Sequence, residues 1–592
     1  MRLRSRSIKA KRQCFWPDVV DGEILIVIEA PGKLATMGCL LRSIGLADRV
    51  VVFATKGHLS GMPQNLIPLG ITPDGRETLR SPINAHLVAE LQEAAAGRHV
   101  LLLTDPDQEG DVIAVDAAVM LEKIAASVGR ARMASLTVDG LKEALSSVAP
   151  CRPMDAVPGR ARAVVDRLIG AILSKDGIAA GRVSTALLGA VIDHHREGTL
   201  CSGEVSLAVR AADGGPPFTM VMPVSSQSMA EHLIEECEKV QPVQALRGRL
   251  PTPSPWTMGV ALMAGATQLD VPLQDVESAL QEAYEKGELS YPRTAAPGIA
   301  HEHLVATRTS AARLSLPFNA ACLPDKGKDA PHEGLHILTE IDLMADPRLL
   351  PGSLAMMVLI GRGTVLAGQV AMGGIPVNLP PHLAGLQASD GIGFHRRDKR
   401  LPWEKAPSLV MAYRPWAPDV AALAVLLDHK LGRPSTMVGH AVKFVRRELL
   451  GKDCKPTEKA YRWFGKSLPE LLRPQTSNSM ESIFESLPVK WRDIFFEIGG
   501  GQWEEMFSMA IADCVIAAMT EAGIGKAVAM EWNTMLCDEA SNPRGATNDV
   551  GYNVKEPERN HYRRGQPERE RGFAAFGLID NEVDGVSCAL PR

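Results

Sequence analysis

The stretch His99-Val-Leu-Leu-Leu-Thr-Asp-Pro-Asp-Gln-Glu-Gly-Asp111 decides how the chain reads. Val100 to Leu103 is a short apolar run with the length and flanks of a buried strand. Asp105, Asp107 and Glu109 follow at a spacing of two, and Val112 to Ile124 then shows helical apolar spacing. Three carboxylates therefore sit in a turn between strand and helix, the place where open α/β sheets bind ligands. Ionised together they repel one another, and a hard, oxygen-seeking divalent ion such as Mg²⁺ is their natural partner. The plainer alternative is a solvated acidic turn that caps the helix, a position Asp and Glu favour.

Outward from this turn, strands and helices alternate. Ile24 to Ile28 reads as a buried strand ending at Glu29, followed by Ala30-Pro31-Gly32-Lys33 and a helical run to Ile44. Val50 to Ala54 is another short strand, ending in Thr55-Lys56-Gly57-His58. The alternation predicts a parallel α/β sheet with its polar strand ends on one rim, so that Glu29 lies beside Asp105 and Asp107.

Composition bounds the rest. A chain of 592 residues predicts several domains, and 45% apolar content allows large cores. A net charge of −5 argues against a uniformly basic nucleic-acid binder but leaves room for a local basic groove. The ten cysteines form no C-x-x-C pair, which excludes the usual zinc-ribbon spacing and gives no disulfide framework. No apolar run reaches the length of a membrane span, and the basic start lacks the apolar core of a secretory signal. A reducing, cytoplasmic setting is expected.

Downstream, Asp155 to Leu173 reads as a helix carrying Arg162 and Asp166 at i,i+4, the spacing of an exposed ion pair. Leu250 to Trp256 is a Pro-rich linker, and Val276 to Lys286 is helical. Pro292 holds Tyr291 out of a helix. Leu349 to Met372 reads as two helices. Further helices are expected over Asp419–Leu427, Ser435–Leu449, Thr457–Leu472 and Trp491–Met519, before a polar tail.

With these pieces placed, the chain resembles the type IA DNA topoisomerases. The resemblance rests on Ile28-Glu29-Ala30-Pro31-Gly32-Lys33, on Gly57-His58, on the D-x-D-x-E-G of a TOPRIM domain at Asp105 to Gly110, and on Arg162 with Asp166. It continues through Ser174 with Gly181-Arg182-Val183, Ser290-Tyr291-Pro292-Arg293-Thr294, Pro331-His332-Glu333, and Gly432-Arg433-Pro434-Ser435-Thr436. Each motif alone is weak; their shared order from about Glu23 to Met519 is specific. The family usually has Arg at the place of Gln108, an acid at Ala295 and Arg at His336.

The resemblance implies a multidomain α/β plus α fold: a TOPRIM parallel α/β domain, helical domains and a β-rich arch closing a toroidal core. The divisions it suggests are a basic arm (1–20), the TOPRIM domain (21–148), a helical DNA-binding segment (149–200), an arch segment (201–255) and a tyrosine-bearing domain (256–370). An arch return (371–410), a helical DNA-binding domain (411–525) and the tail (526–592) complete them. It implies Tyr291 as nucleophile, Lys33 and Arg293 as partners of the developing phosphate charge, and Glu29 as proton donor and acceptor. Mg²⁺ is expected on Glu29, Asp105, Asp107 and Glu109, and DNA contacts from His58, Arg162, Asp166, Gly181, Arg182, Val183, His332 and Arg433. The implied activity is ATP-independent strand passage through a 5′-phosphotyrosyl link, by a nucleoid-associated monomer. No G-x-x-x-x-G-K-[ST] phosphate loop is present. The rival expectations are a metal-dependent nuclease, which does not need Tyr291-Pro292-Arg293, and a single-stranded-DNA-binding relative weakened at Gln108, Ala295 and His336. Aromatic content of 5% favours phosphate contact over base stacking for single-strand binding.

Overall fold

The computed structural model describes residues 23–62, 80–133, 135–174, 177–327, 332–387 and 393–485, together with a short pairing of Phe576–Gly577 with Ser587–Cys588. The basic arm, Pro331, the helix expected over Trp491–Met519 and nearly all of the tail lie outside them.

Four parallel strands and one antiparallel edge form the first sheet: β1 (Ile24–Ile28), β2 (Val50–Ala54), β3 (His99–Leu102), β4 (Ser127–Arg130) and β5 (Ala149–Pro150). Their spatial order is β2-β1-β3-β4-β5. Ile24 pairs with both Val50 and His99, so β1 and β3 end in register and put Glu29 and Asp105 on the same rim. All of β1 is buried. Its unbroken apolar run suits a strand covered on both faces by crossover helices. One face packs on α1 (Lys33–Ser43) and the other on α2 (Ala85–Ala95) and α3 (Gln108–Leu121). Gly110 is required at the start of α3, because a Cβ there would collide with the backbone of Asp105.

Beyond the sheet, α4 (Val157–Leu173) leads to α5 (Arg182–Glu197). Gly203–Val209, Phe218–Val224 and Ala412–Pro415 then form one antiparallel sheet. Ala245–Arg249, Met372–Pro376 and Arg396–Arg397 form another. Two stretches far apart in sequence thus pair with each other.

The largest apolar core joins α5 to helices Met258–Leu269, Leu273–Glu285, Gly352–Ala367, Pro418–Asp428 and Met437–Arg446 around the buried Trp256. The stretch expected to hold two helices is a single one, Gly352–Ala367, followed by the strand Met372–Pro376. Gly361 does not break it. A side chain there would press on Ile341 and Leu343, so the glycine serves close packing.

Candidate active site

The rim of the first sheet and the segment around Tyr291 meet face to face. Tyr291 is buried within the same apolar cluster as β1 and α1, alongside Tyr284. The two rings pack edge to face at 5.3 Å. On its other side Tyr291 lies against His332, ring centres 4.8 Å apart. Its hydroxyl donates to Asp107 Oδ2 at 2.7 Å. Burial, and then the anions of Asp107 and Asp105, push this phenol above its ordinary range, so it is a neutral donor as it stands.

Asp107 serves twice. Its Oδ1 accepts from the Gly110 N–H at 2.8 Å and caps α3, leaving Oδ2 for the tyrosine. The capping reading of the acidic turn holds, and the same side chain also meets Tyr291. Asp105, also buried, is paired with Lys33, whose ammonium lies 4.7 Å over the Tyr284 ring. Burial opposes the Lys33 charge, but Tyr284 and Asp105 raise its pKa overall.

Glu29 completes the centre. Its carboxyl is pushed up to about 7 by burial, then by the charges of Asp105 and Asp107, with Lys33 and Arg293 pulling the other way. Its Oε2 is buried without a hydrogen-bond partner among the described residues. Arg293 feels Tyr291, Asp105, Asp107 and Glu29, and these outweigh burial to hold its charge firmly. Glu29, Lys33, Asp105, Asp107, Tyr291, Arg293 and His332 are thus brought together.

Glu109 is drawn to the side. Its carboxylate takes His58 Nε2 at 3.0 Å and Arg433 Nη1 at 3.1 Å. The hydrogen bond His58 gives to Glu109 raises the histidine's pKa. Beside it, Arg162 Nη2 donates to Gln108 Oε1 at 2.7 Å and so brings a cation to a neutral residue of the turn.

Arg162 does not pair with Asp166 as the i,i+4 spacing suggested. Both its Nε and Nη2 bond Glu481. Arg182 takes Asp166 at 3.2 Å and Glu481 at 2.8 Å, and both guanidinia lie 5.3 Å from the Phe484 ring. Arg162 and Arg182 are buried and Glu481 is partly buried, while Asp166 is exposed. Gly181 is the N-cap of α5, and the Val183 side chain belongs to the apolar core. His336 is buried and neutral, its pKa lowered by burial, and Nδ1–H donates to the Gly334 carbonyl at 2.9 Å.

A cleft of about 930 Å³ runs from Asp107 past Arg293 and Ala295 to Arg162, Arg433 and Glu481. Its cations Arg132, Arg162, Arg293, Lys430 and Arg433 outnumber its acids Asp107, Asp111 and Glu481. Sequence reasoning missed Glu481 and Tyr284. Neither sits in a recognisable motif; each matters through what folds against it.

Residues 24–136 match the Toprim domain family, a divalent-metal-binding fold. The DNA topoisomerase 1 of Aquifex aeolicus is 23% identical over 287 residues, covering 46% of this chain and 52% of that protein. The DNA topoisomerase 1 of Campylobacter jejuni is 28% identical over 183 residues, covering 29% of this chain and 25% of that protein. The chain thus spans about half of the first relative's length and a quarter of the second's. The full-length topoisomerase I structure from Thermotoga maritima superposes with a TM-score of 0.54 at 16% identity, over 83% of this chain and 90% of that one. The chain therefore carries a Toprim domain and is similar in sequence and fold to these topoisomerases I. The Toprim rim is the part that meets Tyr291. No described helix is long and apolar enough to cross a membrane.

Proposed function

We propose that this protein is an ATP-independent type IA DNA topoisomerase. The carrying observation is the Tyr291 hydroxyl on Asp107, beside Glu29, Lys33 and Arg293. A phenol delivered by a different segment to an acid-and-cation rim is what transesterification of a phosphodiester needs, and a nuclease does not.

In this reading Tyr291 oxygen attacks phosphorus while its proton passes to Asp107. The new phosphotyrosyl bond replaces the P–O3′ bond. Glu29, with a pKa near neutrality, is protonated often enough to give the leaving 3′-oxygen its proton and to take it back on resealing. Lys33 and Arg293 meet the negative charge that develops on the phosphate. The bond energy is kept in the link, so ATP is not needed. Strand passage then requires Tyr291 to part from the Toprim rim with the 5′ end attached.

The donor set fits a hard divalent cation: Glu29 offers a buried oxygen without a partner, next to Asp105 and Asp107. We assign Mg²⁺ to these three, with Glu109 contributing only if it leaves His58 and Arg433. The ion would supply charge neutralisation at the scissile phosphate. DNA lies in the basic cleft, contacted by His58, Arg162, Arg182, Arg433 and His332, with Asp166 positioning Arg182 and with Gly181 and Val183 setting the start of α5. The domain divisions expected from sequence, a monomeric state and a place with the nucleoid belong to the same proposal.

Relaxation of negatively supercoiled plasmid with Mg²⁺ and no ATP tests it. Tyr291→Phe is expected to abolish relaxation and covalent capture of DNA while binding survives. Cleavage by Tyr291→Phe supports a nuclease instead, and wild-type protein that neither relaxes nor captures DNA supports a binding protein.

A further inference from the structure

A second polar cluster lies away from the Toprim rim, where two helices end together. His194 is in the last turn of α5; Asp428 ends helix Pro418–Asp428, and His429 is its C-cap. His194 Nε2 lies 2.8 Å from His429 Nε2 and 3.3 Å from Asp428 Oδ2, and His429 Nε2 is 4.0 Å from the same oxygen. All three side chains are partly buried.

We propose that His194, Asp428 and His429 form a binding site for a divalent transition metal of the zinc class, clasping the C-terminal ends of these two helices.

The tautomer supports it. Thr199 Oγ1 donates to the His194 carbonyl at 3.3 Å and lies 2.7 Å from His194 Nδ1. A hydroxyl whose proton is committed elsewhere accepts from Nδ1–H. The Nε2 lone pair of His194 is then aimed at the other two residues. An outer hydrogen bond that fixes the ring in this way is the usual support of a ligating histidine.

The spacing supports it as well. Two ligand atoms at about 2.0–2.1 Å from a tetrahedral Zn²⁺ stand roughly 3.3 Å apart. The three separations observed bracket that figure, and movements of about half an ångström equalise them. Two imidazoles and one carboxylate suit zinc-like ions better than Mg²⁺, which prefers oxygen and retains its waters.

The surroundings favour a cation. Two helix C-termini converge here, each with the negative end of its dipole. Asp193 and Glu197 add negative charge that His429 feels.

The location gives the clasp a consequence. α5 begins at Arg182 and ends near His194, and the His429 carbonyl accepts from Asn478, on the helix that carries Glu481. Joining these ends braces α5, which carries Arg182, and the helix of Asn478, whose Glu481 pairs with Arg162.

The test uses the full chain, stripped with chelator, then titrated with Zn²⁺ by calorimetry in parallel with His429→Gln and Asp428→Asn. The expected result is one more bound equivalent in the wild type than in either variant. Zinc at hundredfold excess over Kd is expected to raise the wild-type Tm by about 5 °C, and the variants' Tm far less. Circular dichroism of the zinc-free variants shows whether they are folded, and two separate variants guard against one failing to fold. Equal stoichiometry in wild type and variants places the zinc elsewhere and overturns the proposal. So does a wild type that binds none, which leaves the histidines as a hydrogen-bonded pair. The outcome does not depend on topoisomerase activity.

Discussion

Replacing Glu29 by Gln separates the charge of this buried carboxyl from its shape. Glu29 has a pKa of about 7 in the folded protein against 4.5 as its ordinary value, because burial and then Asp105 and Asp107 disfavour its anion. The folded-state value is the higher one, so protonation favours the fold. That contribution is complete below pH 4.5 and is lost as pH rises through about 7. The shift corresponds to roughly 3 kcal/mol, paid by the wild type above pH 7 and absent in Glu29→Gln. Thermal unfolding from pH 4.5 to 8.5 is the assay. Without divalent metal, Glu29→Gln should match the wild type at pH 4.5 and exceed it at pH 8.5, by roughly 6–12 °C for a cooperative unit of about 200 residues. Mg²⁺ at pH 8.5 should narrow the gap, since a cation relieves the wild-type anion and gains less from the amide. A gap that does not change with pH, or a variant less stable than wild type at pH 8.5, would refute the burial argument.

Two further outcomes follow from the side network. Glu481→Gln removes the one carboxylate shared by Arg162 and Arg182 and leaves two buried guanidinia poorly compensated, so urea unfolding should show a loss of about 3–5 kcal/mol. The freed cations should tighten single-stranded DNA binding and steepen its salt dependence; an unchanged salt slope would count against Glu481 holding these arginines from phosphate. Glu109→Gln should lower the His58 pKa, since their hydrogen bond is the largest cause of its elevation. An NMR titration of the His58 ring reads this directly, and an unmoved midpoint contradicts the pairing.

The strand–turn–helix units of the Toprim domain were legible because they are local. β1 is a continuous apolar run, and Asp107 and Gly110 are fixed by the turn that starts α3. The motif order also identified most residues that gather at the rim, from Glu29 to Tyr291. What local pattern misread was pairing. The i,i+4 spacing of Arg162 and Asp166 suggested an exposed ion pair, yet Arg162 is buried against Glu481, and Asp166, itself exposed, pairs with Arg182. Likewise the stretch read as two helices holds one, Gly352–Ala367, with Gly361 packed closely against Ile341 and Leu343.

By itself, then, the sequence determined which segments are strands and helices around the acidic turn, and which side chains bring chemistry to it. Tertiary structure alone decided that Tyr291 gives its hydrogen bond to Asp107, that Glu109 turns to His58 and Arg433, and that Glu29 is left with a raised pKa. The reason is physical. Helix and strand follow from the spacing of neighbouring residues. Partner choice and pKa depend on burial and on charges that arrive from segments 51 to 324 residues away.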